Sequence, residues 1–258
     1  MKTIWISSLV SSKEEIQNLM SLFKPYGIEV NGHYWEDDLE KMAWIKGRDE
    51  LLDPKVSLWL ILTSPKELAV PTLRYGLSLL SLTVQAQRGP AFPTLILLTA
   101  SLDSDAMSFP TPLKGVDWLT LSDPALAAKI VAKVHAPAHE VPAEYRLDVY
   151  GNPQIGQWFE VGPSENPWLG AMFGVEGAKI SFHAVGPKGR LPSRSTLNYP
   201  VKDMEVTLGD KKYVVWAVQN ELEPKDSYFL KVEGFPDSVI FGPHSSEEEA
   251  EVYVVQLK

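Results

Sequence analysis

An open α/β sheet domain followed by an all-β domain is what the sequence predicts, and three observations predict it. Two almost unbroken apolar runs, Val56–Thr63 (VSLWLILT) and Pro93–Thr99 (PTLILLT), have the length and composition of strands buried on both faces, as in a parallel sheet. Segments with helical spacing separate the runs of the first half, which reads as βαβ units with right-handed crossovers. Past Tyr145 the helical periodicity nearly vanishes, and short alternating runs punctuated by turn residues take over.

The elements follow in order. Lys2–Ser8 (KTIWISS) is a β-branched and aromatic first strand. Ser12 with Glu15 three residues on forms a capping box for a helix whose Ile16, Leu19, Met20 and Phe23 share one face. Pro25 and Gly27 stop it, and Ile28–Val30 begins a second strand. Asp38 is expected to cap a helix reaching Leu52. Ser64-Pro65 opens a helix expected to run to about Gln87. Val116–Leu121 is a fifth strand, and Ala125–His135 a last helix. Five strands arranged this way predict a flavodoxin-like sheet of order 2-1-3-4-5 over residues 1–135. Residues 136–144 (APAHEVPAE) read as a semi-rigid proline linker. Residues 145–258 carry some eight alternating runs, which predict an antiparallel β-sandwich or barrel.

Composition narrows the function classes. With no cysteine among 258 residues there is no disulfide frame, thiol nucleophile or thiolate metal site. The net charge of −9 argues against a nucleic-acid surface. It divides as −2 over residues 1–135 and −7 over the remainder. No apolar run reaches the roughly 18 residues of a spanning helix, so the expectation is a cytoplasmic chain without a membrane partner.

Open α/β sheets bind ligands beyond the carboxyl ends of their strands. Those ends bring together Ser7, Ser8, Ser11 and Ser12 with Thr63 and Ser64, whose hydroxyls and helix N-terminal amides suit a phosphate or ribose. The competing reading has them capping helices and satisfying loop backbone. Glu36-Asp37-Asp38 follow the second strand as an acidic cluster, open to a partner, to a metal or simply to solvent. No metal site is expected: His135 and His139 have Pro137 between them, which spoils the helical H-x₃-H geometry. Asp103 and Asp105 read as turn residues. In the second half Gly170, Gly174 and Gly177 do not match the dinucleotide fingerprint. Lys188, Arg190 and Arg194 form a basic loop open to an anion or acidic partner. Of the aromatics Trp158, Trp168, Tyr199, Tyr213 and Trp216, Trp216 reads as core, and Trp168 in the loop PSENPW as an exposed contact for a sugar or partner.

The strand IWIS with its serine-rich loop and Lys13-Glu14 helix start resembles the opening block of Toll/interleukin-receptor (TIR) domains of bacterial type. The segment Asp38–Leu52 followed by Pro54-Lys55-Val56, and the buried strand Leu60–Thr63 ending in Ser64-Pro65, match that family's order of features. The resemblance covers residues 1–121 and none of the β domain. It implies assembly into homo-oligomers or with protein partners, and it makes the loop Glu36–Asp38 an assembly contact. Enzymes of the family cleave NAD with a glutamate in the helix after the Ser-Pro strand. Here Pro71-Thr-Leu-Arg-Tyr-Gly-Leu77 puts Gly76 in that place, with Glu67 more than two turns away as the substitute acid. The leading expectation is therefore a non-enzymatic signalling or interaction module without a cofactor. An NAD-consuming or nucleotide-glycosidic enzyme, with NAD as substrate or ligand, is the second reading, and a sugar-binding β module on an α/β scaffold the third.

Overall fold

The computed structural model describes residues 1–101, 109–137, 141–244 and 252–258. Asp103, Asp105 and His139 lie outside the described residues. Two compact units emerge: Met1–Phe109 with Leu113–Val141, and Pro110–Pro112 with Pro142–Lys258.

In the first unit β1 (Thr3–Ser8), β2 (Glu29–Tyr34), β3 (Val56–Thr63), β4 (Thr94–Leu98) and β5 (Asp117–Thr120) pair in parallel as β2-β1-β3-β4-β5. This is the expected order. Ile4 and Ile6 of β1 and Leu58, Leu60 and Leu62 of β3 turn one face toward Leu19 and Phe23 of α1 (Lys13–Phe23) and Ile130 and Val134 of α5 (Leu126–His135). Alternation sends Trp59 and Ile61 to the opposite face, also fully buried, which explains why β3 carries no polar stripe. Ser12 caps α1, its hydroxyl accepting from Glu15 N at 3.3 Å.

Two helices depart from expectation. Asp38 does cap a turn, accepting from Lys41 N, but Met42 adopts a left-handed backbone (φ +52°). The helical segment therefore contracts to a 3-10 stretch, Ala43–Gly47, and a short α2, Arg48–Leu52. The helix expected from Ser64 is likewise divided. Val70, ahead of Pro71, is extended, as the residue before proline prefers, so α3 (Pro65–Leu68) stops and α4 (Pro71–Arg88) starts afresh.

The second unit is a β-sandwich. One sheet runs β6 (Tyr145–Asn152), β7 (Gly156–Pro163), β12 (Asp226–Glu233), β9 (Lys179–Pro187); the other runs β10 (Val201–Leu208), β11 (Lys211–Val218), β8 (Ala171–Glu176), β13 (Ser238–Pro243), β14 (Tyr253–Gln256). Every pairing is antiparallel. Their inner faces meet through aromatic contacts such as Phe159–Phe173 at 5.4 Å and Tyr145–Phe241 at 4.8 Å. β8 is a strand the sequence reading passed over as a glycine cluster. Gly174 sits at its centre because Val215 and Ile240 of the flanking strands close over it: a Cβ there would lie 2.6 Å from Val215 Cγ2. Pro110–Pro112 group with this sandwich, where Gln256 N donates to Thr111 Oγ1 at 2.9 Å.

Candidate functional site

The strand ends of the first unit are the leading candidate, and most of the serine hydroxyls there are engaged within the fold. Ser7 is fully buried and its Oγ accepts from the Trp59 indole N–H at 3.0 Å. Ser8, also buried, donates to Val10 O at 2.7 Å. Ser64 caps α3, accepting from Lys66 N and donating to the Glu67 carboxylate. Ser11 is exposed. Three of these serines thus satisfy local structure, and Glu67 is held as the N3 partner of its own helix cap rather than aimed over the strand ends.

Gly76 lies buried on α4 beneath the chain that follows β2. A Cβ at this position would stand 2.9 Å from Trp35 Cζ2, 3.5 Å from Trp44 Cβ and 3.7 Å from Leu39 Cδ2. The Trp35 indole therefore occupies the space into which a longer side chain would extend. Trp35 also neighbours His33, their ring centroids 6.1 Å apart. His33 is half-buried, accepts from Trp5 Nε1 at 3.2 Å, and has its pKa lowered by burial and then by Lys46.

The acidic cluster is tied to its surroundings. Glu36 pairs with Lys46, Asp37 accepts from Thr72 Oγ1 at 2.7 Å, and Asp38 pairs with Lys41 at 2.7 Å. No group of three or more His, Asp or Glu side chains is gathered as for a metal among the described residues. Beside the loop, β2 forms the free edge of the parallel sheet. Between it and α1 runs a largely apolar groove of about 250 Å³ lined by Ile6, Ile16, Met20, Val30, Gly32 and Tyr34.

In the second unit Trp168 is buried rather than exposed. Its backbone exchanges hydrogen bonds with Leu222 at 3.0 and 2.8 Å, which pulls the loop against the sandwich. Trp216 is core, as expected. Its Nε1 donates to Asp203 Oδ1 at 3.0 Å, and Lys202 Nζ lies 4.5 Å from the ring centroid. His183 meets the Trp216 ring edge-on at 4.7 Å and shares a 2.7 Å hydrogen bond with the buried Tyr228 hydroxyl. Burial and then Lys202 push His183 down to about 4. Below pH 6.5 an unfolded chain binds a proton here that the folded one refuses until about pH 4. The unfolded state binds more protons in that window, so stability rises with pH across it. The sandwich should lose about 2–3 kcal/mol as pH falls from 6.5 to 4, by the linkage of about 1.4 kcal/mol per pKa unit. Urea midpoints at both ends of the window, with His183→Gln flattening the difference, test this; an unchanged slope in the variant would assign the effect elsewhere.

A second polar cluster was not anticipated. Asp148 and Glu160 are register partners on β6 and β7, both buried, on the outer face of the four-stranded sheet. Glu160 Oε1 accepts from Ser227 Oγ at 2.6 Å and Gly189 N at 2.9 Å, with Arg146 NH1 at 3.5 Å. Two residues along the same face, Tyr150 pairs with Trp158, and Lys231 links that pair to Phe182. Burial, then Asp148 and Glu160, push the Tyr150 phenol well above its usual range, so it keeps its proton. The Trp158 and Phe182 rings are 67° apart, an edge contact rather than the flat platform a stacked sugar uses. Neither the acid pair nor the aromatic row was visible in sequence, because strand register decides both.

Neither a protein-family model nor a curated protein matches the chain.

Proposed function

We propose that this protein is a non-enzymatic interaction module, with a first unit of TIR-like type that self-assembles and a second unit that recognises a partner or ligand. The observation that carries the reading is the Trp35 indole over Gly76. At the position where the resemblance calls for a catalytic glutamate, α4 offers no side chain, and an aromatic ring fills the space. Without a carboxylate there is nothing to hold ribose hydroxyls or to stabilise the cationic centre formed as nicotinamide leaves. Glu67, the substitute acid, is engaged by Ser64.

Support for assembly comes from β2. Edge strands carry a row of unpaired main-chain groups, and proteins normally blunt them with lysine, proline, bulges or a covering element. β2 (EVNGHY) has neither lysine nor proline, and Asn31, Gly32 and Tyr34 are exposed along it. Glu29 N and Trp35 N both bond toward β1, so strand alternation turns the intervening even-numbered amides outward.

Sedimentation velocity over a wide range of protein concentration tests the reading, with nicotinamide release from NAD⁺ and NADP⁺ measured in parallel. Concentration-dependent self-association, reduced by Tyr34→Lys, and no nicotinamide are expected. Nicotinamide release abolished by Glu67→Ala would replace the reading with the enzymatic one. A protein that stays monomeric throughout would remove the self-assembly half.

A further inference from the structure

We propose that two copies of this chain join through β2. The strands pair antiparallel about a twofold axis at Gly32, and Tyr34 of each copy enters the groove between β2 and α1 of the other. This names the contact through which the first unit assembles and rests on its reading as a self-assembling module.

Strand alternation gives the outward N–H and C=O groups of β2 to Val30, Gly32 and Tyr34. Antiparallel strands exchange bonds only between residues whose main-chain groups point at each other, so even positions must meet even ones. Centring the pair on Gly32 uses all three. Val30 then faces Tyr34 of the partner subunit, and Gly32 faces its own copy. A shift of two residues either way would pair Val30 or Tyr34 with a residue beyond the ends of β2. The centred contact is isologous, so every donor on one side finds the same acceptor on the other. Glu29, the one carboxylate of β2, lies opposite Trp35 of the partner subunit rather than opposite itself, and no like charges meet.

The groove supplies the reason that the occupant is a second copy. Ile6, Ile16, Met20, Val30 and Tyr34 line its volume of about 250 Å³, and Tyr34 is 50% exposed. No side chain at position 32 closes it, because a Cβ there would collide with Ile6 O. In the centred register Tyr34 stands opposite Val30, which lines the groove, and diagonal to Gly32. An aromatic ring reaches across both spacings. One strand thus carries both the ring and the groove that takes it. The other edge of the sheet suits pairing less: β5 has four residues, and its Asp117 pairs with Lys133. Short, charged edges resist strand addition.

Amide exchange of the full chain, read by NMR at low and high protein concentration, tests the contact. On concentration the Val30, Gly32 and Tyr34 amides should slow by about tenfold or more, while those of Asn31 and His33, already turned toward β1, change less. Cross-linking tests the register. The chain has no cysteine, and Asn31 faces His33 of the partner subunit at a closely spaced, non-hydrogen-bonded pair. A mixture of Asn31→Cys and His33→Cys proteins should therefore form a disulfide dimer that neither variant forms alone. Equal cross-linking by Asn31→Cys alone would overturn the proposal. Should His33→Cys fail to fold, amide exchange in the parent decides. Self-association on sedimentation with the even-numbered β2 amides unprotected overturns this contact and leaves the assembly reading standing. A monomer at every concentration overturns both.

Discussion

Gly76→Glu should unfold the first unit locally rather than create an active site. The substitution drives a Cβ to 2.9 Å from the Trp35 ring and places a carboxylate in a buried position. Overpacking alone amounts to about 1–3 kcal/mol, and a buried unpaired charge raises the total to about 4 kcal/mol or more. Gly76→Ala isolates the first contribution. Trp35→Ala combined with Gly76→Glu should recover part of the loss, since the two positions touch and their effects are coupled. Hydrogen exchange along α4 reads the outcome unit by unit, which a single global transition in a two-unit chain does not. A Gly76→Glu protein as protected as its parent would mean that Trp35 moves aside freely. Trp35 would then be no barrier to a side chain at position 76.

Arg146→Met carries the other large expectation. Removing the guanidinium leaves Glu160 buried beside Asp148 with no compensating cation, and breaking a buried pair in this way typically costs about 3–5 kcal/mol. It also strands the carbonyls of Pro163 and Asp226. Replacing both members, Arg146→Met with Glu160→Met, should be milder than the single change, because the uncompensated charge disappears with its partner. Urea unfolding of the sandwich, followed through exchange of β7 amides, distinguishes the two. A single variant within about 1 kcal/mol of the parent would show that the guanidinium contributes little beyond its stem packing.

Features governed by composition and local chemistry were legible in the sequence. The doubly buried runs of β3 and β4, the Ser12 cap and the order of the parallel sheet follow from apolar runs and capping residues that leave one arrangement open. Backbone dihedrals are less visible. Nothing in the sequence announces that Met42 turns left-handed and truncates a helix, whereas the division before Pro71 was available from the steric rule for residues preceding proline. β8 escaped because its glycines answer to the side chains of strands distant in sequence.

At the candidate sites the difficulty was direction and register rather than identity. Ser7 and Ser8 are where a ligand-binding loop would put them, yet a buried indole and a local carbonyl take their hydroxyls. Trp168 sits in a proline-rich loop, but two backbone bonds to Leu222 draw it inward. Asp148 and Glu160 are twelve positions apart, and only the pairing of β6 with β7 makes them opposite neighbours.

The small segment Pro110–Pro112 has a kinetic consequence. It groups with the sandwich, and the amide it receives at Thr111 comes from Gln256, 145 residues further on. During synthesis at roughly 5–20 residues per second, those two partners are made roughly 7–30 s apart. The parallel sheet, whose strands are complete by Thr120, has that whole interval to form before the sandwich gains β14. Translation thus imposes a sequence on folding, in which the first unit matures while a stretch of its own chain still waits for a strand not yet made.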